Sequence, residues 1–321
     1  MTGDGAVRDG FRQSRGGGFH RRARWCARNY QLYVLLLPTL AYFVVFRYLP
    51  MVGVQLAFRD YFPPLGYWGS PWVGLKHVVR FFNSYYAKRI IINTLTLSFG
   101  TLILSFPVPI LIALTLNEVH SKAVKRFAQT ITYAPHFLST VVVVGLLSSL
   151  TNQRYGIINT ALLNMGVVNE PIAFMSSQQW FKPLYILSSI WQESGWNAVI
   201  YMAALSTVDV HLYEAARVDG AGRLKSILHI TLPSIAPTMI TLLILNCGKV
   251  MNIGYEKVLL MQNPLNIASS DVITTYVYQA GLRNGQYSYA TAVGLFNSVI
   301  NTVLILCVNT LSGKVSSTSL W

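Results

Sequence analysis

Polar residues stand inside long apolar runs in the second half of this chain, and their types suggest what they bind. Gln192, Glu193, Trp196 and Asn197 share one run, and Lys249, Asn252 and Glu256 another. At about 100° per helical residue, the second set falls within about 60° of one face and the first within about 140°. Asn297 and Asn301 lie one helical turn apart further on. Charges at membrane depth cost a few kcal/mol each, so they need a reason. Such faces would line a polar path between helices. There, amides bind hydroxyls, rings such as Trp191, Trp196 and Tyr255 stack on sugar faces, and Lys249 pairs an acidic substituent. The plainer alternative stays open. Asparagines join membrane helices, and Lys249 pairs Glu193 or Glu256.

Other chemistry is missing from the sequence. It has no G-x-x-x-x-G-K-[ST] phosphate loop, so the chain is not expected to be an ATPase of that kind itself. It has no H-E-x-x-H or G-x-S-x-G motif either. His20, His77, His120, His136, His211 and His229 are scattered without ligand spacing, and Cys26, Cys247 and Cys307 show no metal or disulfide pattern. The chain is not expected to be an enzyme, nor to carry a metal or cofactor of its own.

The elements that position these residues follow from composition. Of 321 residues, 53% are hydrophobic and only 11% charged; mean hydropathy is +0.43. That apolar excess means an integral membrane protein. Spans of ~20 residues exclude barrel strands of ~9–11, which leaves a helical bundle. Six spans are expected at 30–49, 90–116, 130–150, 184–205, 233–254 and 290–311, the second kinked at Pro107 and Pro109. Outer loops are expected at 50–89, 151–183 and 255–289. The domains read as a basic cytoplasmic tail (1–29), a transmembrane domain (30–311) with an inner loop at 206–232, and a short cytoplasmic tail (312–321).

Net charge is +14, and seven of the 25 Lys and Arg residues precede residue 30. Beside an apolar span this run reads as a cytoplasmic anchor rather than a nucleic-acid arm. No signal-peptide cleavage site is expected after it. Both termini are therefore expected inside. Lys88 and Arg89, on the outer side against the second span, oppose the rule.

The inner loop is unusual. A helical run from Tyr213 to Val218 holds Glu214, Ala215 and Ala216. Asp219-Gly220 then supplies a left-handed position just past a helix end. A second run starts at Arg223, with Leu224, Ile227 and Leu228 on one face, and Pro233 and Pro237 are expected to close it. Helix, turn and helix would form a compact knob outside the bilayer.

Glu214, Ala215, Ala216, Asp219, Gly220, Ala221, Ile230, Leu232, Pro233 and Pro237 resemble the EAA motif of permease subunits of binding-protein-dependent ABC importers. Gly254-Tyr-Glu-Lys, Asn263-Pro-Leu, 271–278 and 289–301 resemble the oligo- and polysaccharide branch, which includes the alginate importer permease and the permeases of lipoprotein-associated sugar transporters. The resemblance covers roughly 30–311. It implies the type I importer permease fold in a bacterial inner membrane, with the knob as a coupling helix docked on an ATPase. Glu214 would hold the knob's geometry and Gly220 its turn. The implied partners are a second homologous permease, an ATPase dimer carrying ATP and Mg, an external solute-binding protein and membrane lipid. Alternating access would carry an oligosaccharide, and the alginate likeness together with Lys249 hints at an acidic one. A stand-alone ion-coupled carrier or channel is the alternative, and it gives the knob no account.

Overall fold

The structure, a computed structural model, describes residues 29–316. The basic tail from Arg8 to Arg28, with Cys26, and residues 317–321 lie outside the described residues. The described residues are helical with no strand; Arg59 and Trp72 form one isolated bridge. Contacts divide the chain into two compact units at Gln55/Leu56.

The first unit holds α1 (Tyr30–Phe43), which continues through a π turn (Val44–Tyr48) into a 3₁₀ run that ends at Phe58. The helical stretch Tyr30–Phe58 has a mean hydropathy of 1.8 in its most apolar window, and none of that window is buried. A helix apolar on every side suits lipid. Its π turn ends two residues before Pro50. The wider turn relieves the clash between a proline ring and the carbonyl four residues back.

The second unit contains α2 (Gly66–Gly69), α3 (Lys76–Phe82), α4 (Ala87–Ser105), α5 (Pro107–Glu118), α6 (Lys122–Tyr133), α7 (Thr140–Leu150), α8 (Ile157–Asn164) and α9 (Gln178–Leu205). Then come α10 (Val210–Val218), α11 (Arg223–Ser226), α12 (Leu232–Cys247), α13 (Tyr255–Met261), α14 (Ile267–Ser270), α15 (Ile273–Tyr278) and α16 (Tyr287–Ser316). Helix α9 is central. Phe181, Tyr185 and Ile186 pack with Leu97 and Val258, while Ala198, Tyr201 and Leu205 pack with Ile110 and Ile235. Gly195 makes this possible: a Cβ there would lie 1.9 Å from the Thr132 carbonyl oxygen, so only glycine lets α9 approach α6 so closely.

Among the described residues four helical stretches are both long and apolar enough to cross a membrane: Tyr30–Phe58, Ala87–Glu118, Arg223–Cys247 and Tyr287–Lys314. The expected third span is not one straight helix. Its halves, Lys122–Phe137 and Thr140–Leu150, meet at 102°. Pro135 sits in a 3₁₀ turn there, and the Ser139 hydroxyl caps the second half by accepting from Val142 N. The expected fourth span, α9, has 28 residues but carries Gln192, Glu193 and Asn197 at its middle, which lowers its hydropathy.

Three other expectations need correction. Pro233 and Pro237 do not close the helix after the knob. A π turn (Ile227–Thr231) joins α11 to α12 just before Pro233, so the helical stretch Arg223–Cys247 runs on through Pro233, and Pro237 stands inside α12. The expected fifth span ends at Cys247 rather than Gly254. The supposed loop at 255–289 is mostly helical and partly buried, with Val258, Met261, Val272 and Ile273 in the core. Arg89 also finds a local reason: it pairs with buried Asp271 at 3.5 Å, so it is not a free charge at the membrane surface.

Candidate functional site

The broken end of α12 builds the polar site. Past Cys247 the backbone turns, and α16 meets it with two asparagines. Asn301 Oδ1 accepts from Met251 N at 3.1 Å. Asn252 Oδ1 accepts from Asn297 Nδ2 at 3.1 Å and from Asn301 Nδ2 at 3.0 Å. Asn301 serves one backbone donor that the break frees, Met251 N, and the other two bonds fix the Asn252 side chain. Asn297 and Asn301 thus act as the glue that the sequence allowed, and Asn252 is held by them.

Beside this break lies a cavity of about 270 Å³. Helix α4 contributes Ser98, Thr101 and Ser105; α9 contributes Tyr185, Ser189, Glu193 and Asn197; the break contributes Lys249, Asn252 and Gly254. The Ser98, Thr101 and Ser194 hydroxyl oxygens are sealed behind this wall, with no hydrogen-bond partner among the described residues.

The expected residues divide here. Glu193, Asn197, Lys249 and Asn252 share the cavity wall. Gln192 is buried and donates to the Leu138 carbonyl at 3.1 Å, fixing α9 to the bend. Trp196 stacks on His136 with ring centroids 4.7 Å apart. Tyr255 stacks on Tyr278 at 5.8 Å, and Glu256 is exposed on the new helix α13. The helix ends at Cys247 and the next begins at Tyr255, so Lys249, Asn252 and Glu256 do not share a helix face. The pairings expected for Lys249 do not form. Glu193 binds His136 Nδ1 at 2.9 Å, and Lys249 makes no ion pair among the described residues. Lys257 was not singled out by the sequence. It is buried, donates to Ser189 Oγ at 2.9 Å and lies 5.2 Å over the Tyr185 ring. Its position in Gly254-Tyr-Glu-Lys was the one available signal.

The knob forms as spaced. Asp209 Oδ1 accepts from His211 N at 3.0 Å, capping α10. Gly220 takes φ +74°. Ala221 N bonds Ala216 O at 2.8 Å and Gly220 N bonds Arg217 O at 3.1 Å, the paired bonds of a Schellman turn. Asp219 is its last helical cap, and Ala215 O accepts from Asp219 N at 3.0 Å. The Tyr213 and Thr231 hydroxyls, 3.0 Å apart, tie α10 to the π turn. Glu214 is exposed and bonds His211 at 3.1 Å. Within this chain, then, Asp209, Gly220 and the Tyr213–Thr231 pair hold the turn, not Glu214. Exposed Val210, Val218, Leu224 and Leu228 give the knob an apolar surface.

Comparison with known proteins places this architecture. Residues 105–317 match the family described as binding-protein-dependent transport system inner membrane component. The chain is 47% identical over 283 residues, 88% of each chain, to the polygalacturonan/rhamnogalacturonan transport system permease protein YteP of Bacillus subtilis (strain 168). It is 46% identical over 287 residues to Protein LplB of the same organism, covering 89% of this chain and 90% of that one. A crystal structure of a bacterial ABC transporter involved in the import of the acidic polysaccharide alginate matches with a TM-score of 0.85 at 40% identity. That match covers 92% of this chain and 99% of the other. The helical architecture is that of a type I ABC importer permease, a non-catalytic membrane component. By fold and sequence together, this multi-pass chain belongs to the family of binding-protein-dependent transport system inner membrane components.

Proposed function

We propose that this chain is a permease subunit of an ATP-driven importer of acidic oligosaccharides, of the uronate type. The observation that carries the reading is Lys249, a cation without an ion-pair partner among the described residues, on the wall of a hydroxyl- and amide-lined cavity. A carboxylate-bearing sugar supplies what that wall lacks: hydroxyls for Asn197 and an anion for Lys249. Relatives named for polygalacturonan and rhamnogalacturonan, and a neighbour that imports alginate, support the same substrate class.

The knob carries the coupling role. Ala215, Ala216, Asp219, Gly220 and Ala221 form its turn, Pro233 starts the span behind it, and exposed Glu214 faces outward to an ATPase. On this reading both termini lie on the cytoplasmic side of the inner membrane. The expected assembly adds a second homologous permease, an ATPase dimer that binds ATP and Mg, and an external solute-binding protein. A related transporter is solved with an alginate pentasaccharide-bound periplasmic protein, which supports that last partner. Closure of the ATPases on the knob would drive alternating access.

The test is purification from native membranes in mild detergent, followed by reconstitution. An ATPase and a second permease should accompany the chain, and the liposomes should take up tetragalacturonate only with ATP. A chain that purifies alone and moves solute without ATP would be an ion-coupled carrier or channel instead.

A further inference from the structure

The cavity at Lys249 is not the one concave surface suited to an acidic sugar. A second lies in the Leu56–Trp321 unit, where α3 meets the start of α16. Two lobes, of about 470 and 250 Å³, share Arg80, Gln286 and Tyr289 as a common wall. Tyr61 and Tyr287 line the first lobe; Tyr85, Tyr86 and Tyr276 line the second. This end of the bundle is opposite the knob, since α4 and α16 both begin here while α9 runs from its own start toward α10.

Arg80 stands at the junction. Its guanidinium lies 4.6 Å over the Tyr289 ring, and one NH₂ donates to Gln286 Oε1 at 3.2 Å. These contacts hold the fork without neutralising it. The acids near it are already engaged: Asp60 binds Lys76 and His77, and Asp271 binds Arg89. Arg80 is exposed and makes no ion pair among the described residues. The tyrosines are equally well placed. Tyr61 and Tyr287 meet edge to face at 6.1 Å, and the Tyr276 and Tyr289 hydroxyls are 2.9 Å apart. An interfacial aromatic belt would put rings on the convex, lipid-facing flank. These rings line concavities on both sides of a cation.

We infer that this two-lobed cleft is an outer saccharide subsite, in which Arg80 receives a uronate carboxylate and the flanking tyrosines stack on the neighbouring rings. Planar guanidinium matches carboxylate in a two-pronged geometry, and rings on both sides suit a chain of several sugars. The subsite would hold an incoming oligosaccharide before it reaches Lys249. The inference rests on the acidic-oligosaccharide reading above, yet it concerns a different set of residues.

The test measures binding, separately from transport. The full chain, with the subunits that accompany it, is placed in nanodiscs without added solute-binding protein. It is titrated with tetragalacturonate and with the same oligosaccharide after carboxyl reduction. Arg80→Gln should weaken the charged ligand about tenfold and leave the reduced one unchanged, while Arg80→Lys should recover part of the loss. Tyr287→Ala should weaken both ligands alike. In the unmodified protein, raising salt should weaken only the charged ligand, a result that depends on no variant.

Three binding results would overturn the subsite. They are no binding of tetragalacturonate by the unmodified protein, unchanged affinity in Arg80→Gln, or equal loss of both ligands in that variant. Loss of solute-binding-protein retention in Arg80→Gln with saccharide affinity intact would likewise overturn it, making the cleft a protein-docking surface. If the protein binds tetragalacturonate in an Arg80-dependent way but liposomes import none, the subsite stands and the import reading fails.

Discussion

Lys249 and Glu193 line one cavity without pairing to each other: Glu193 is held by His136 at 2.9 Å, and Lys249 has no ion-pair partner among the described residues. An acid already engaged leaves the lysine free for a ligand. Lys249→Met should therefore cut uptake of tetragalacturonate about tenfold, the worth of one charge-assisted contact of about 1.4 kcal/mol. Uptake of its carboxyl-reduced counterpart should hardly change. Equal loss for both sugars would mean that Lys249 is structural.

Gly220 sits at φ +74° and completes the Schellman turn. A side chain there costs about 1–2 kcal/mol, and more if β-branched. Gly220→Val should release the ATPase during purification and abolish ATP-dependent uptake, with the chain still folded in the membrane. Gly220→Asn should retain most of both, because asparagine tolerates the left-handed region. Mass spectrometry of the purified complex distinguishes the two variants.

The Tyr213–Thr231 hydrogen bond joins α10 to the helix that becomes a membrane span. Tyr213→Phe should cost about 1 kcal/mol. Thr231→Val should cost a similar amount, and the double variant little more than either alone. Fully additive losses in thermal midpoint would show that the two hydroxyls do not interact.

Gly195 and Gly145 offer a contrast within the bundle. A Cβ at Gly195 would lie 1.9 Å from Thr132 O, whereas one at Gly145 meets nothing within 4 Å. Gly195→Val should leave almost no monodisperse protein on size exclusion. Gly145→Ala should behave as the unmodified chain. Normal yields from Gly195→Val would contradict the tight α9–α6 approach.

Asp60 predicts a modest acid effect. Its hydrogen bond to Lys76, together with the Lys76 and His77 charges, outweighs partial desolvation and holds its carboxyl below the ordinary value of 3.8. A depressed carboxylate stabilises the fold above its unfolded value and loses that contribution as pH falls through the lower folded one. The pair is exposed, so the contribution is below about 1 kcal/mol. The midpoint difference between the unmodified protein and Asp60→Asn should be present at pH 6 and shrink as pH falls below 3.8.

How much was legible in the sequence follows from how local each cause is. Hydropathy and spacing settled the membrane class, the helical bundle and the knob, because spans of apolar residues and an Asp219-Gly220 turn depend on residues a few positions apart. The Asp209 cap and the position of Gly220 are of the same kind.

Tertiary structure decided the rest. Helix α12 stops at Cys247, and α16, some fifty residues on in sequence, meets the opened segment: Asn301 accepts from the Met251 backbone, while Asn297 and Asn301 hold the Asn252 side chain. A helical wheel that assumes an unbroken span cannot foresee that, so it aligned Lys249, Asn252 and Glu256 wrongly. The same holds for 255–289: its apolar residues are core because α4, α7 and α9 cover them, not because of any pattern of their own. His136 reached Glu193 only through the 102° bend before α7. Local sequence chose the elements; the partners that stop, bend and bury them lie far along the chain, and only the assembled bundle brings those partners into contact.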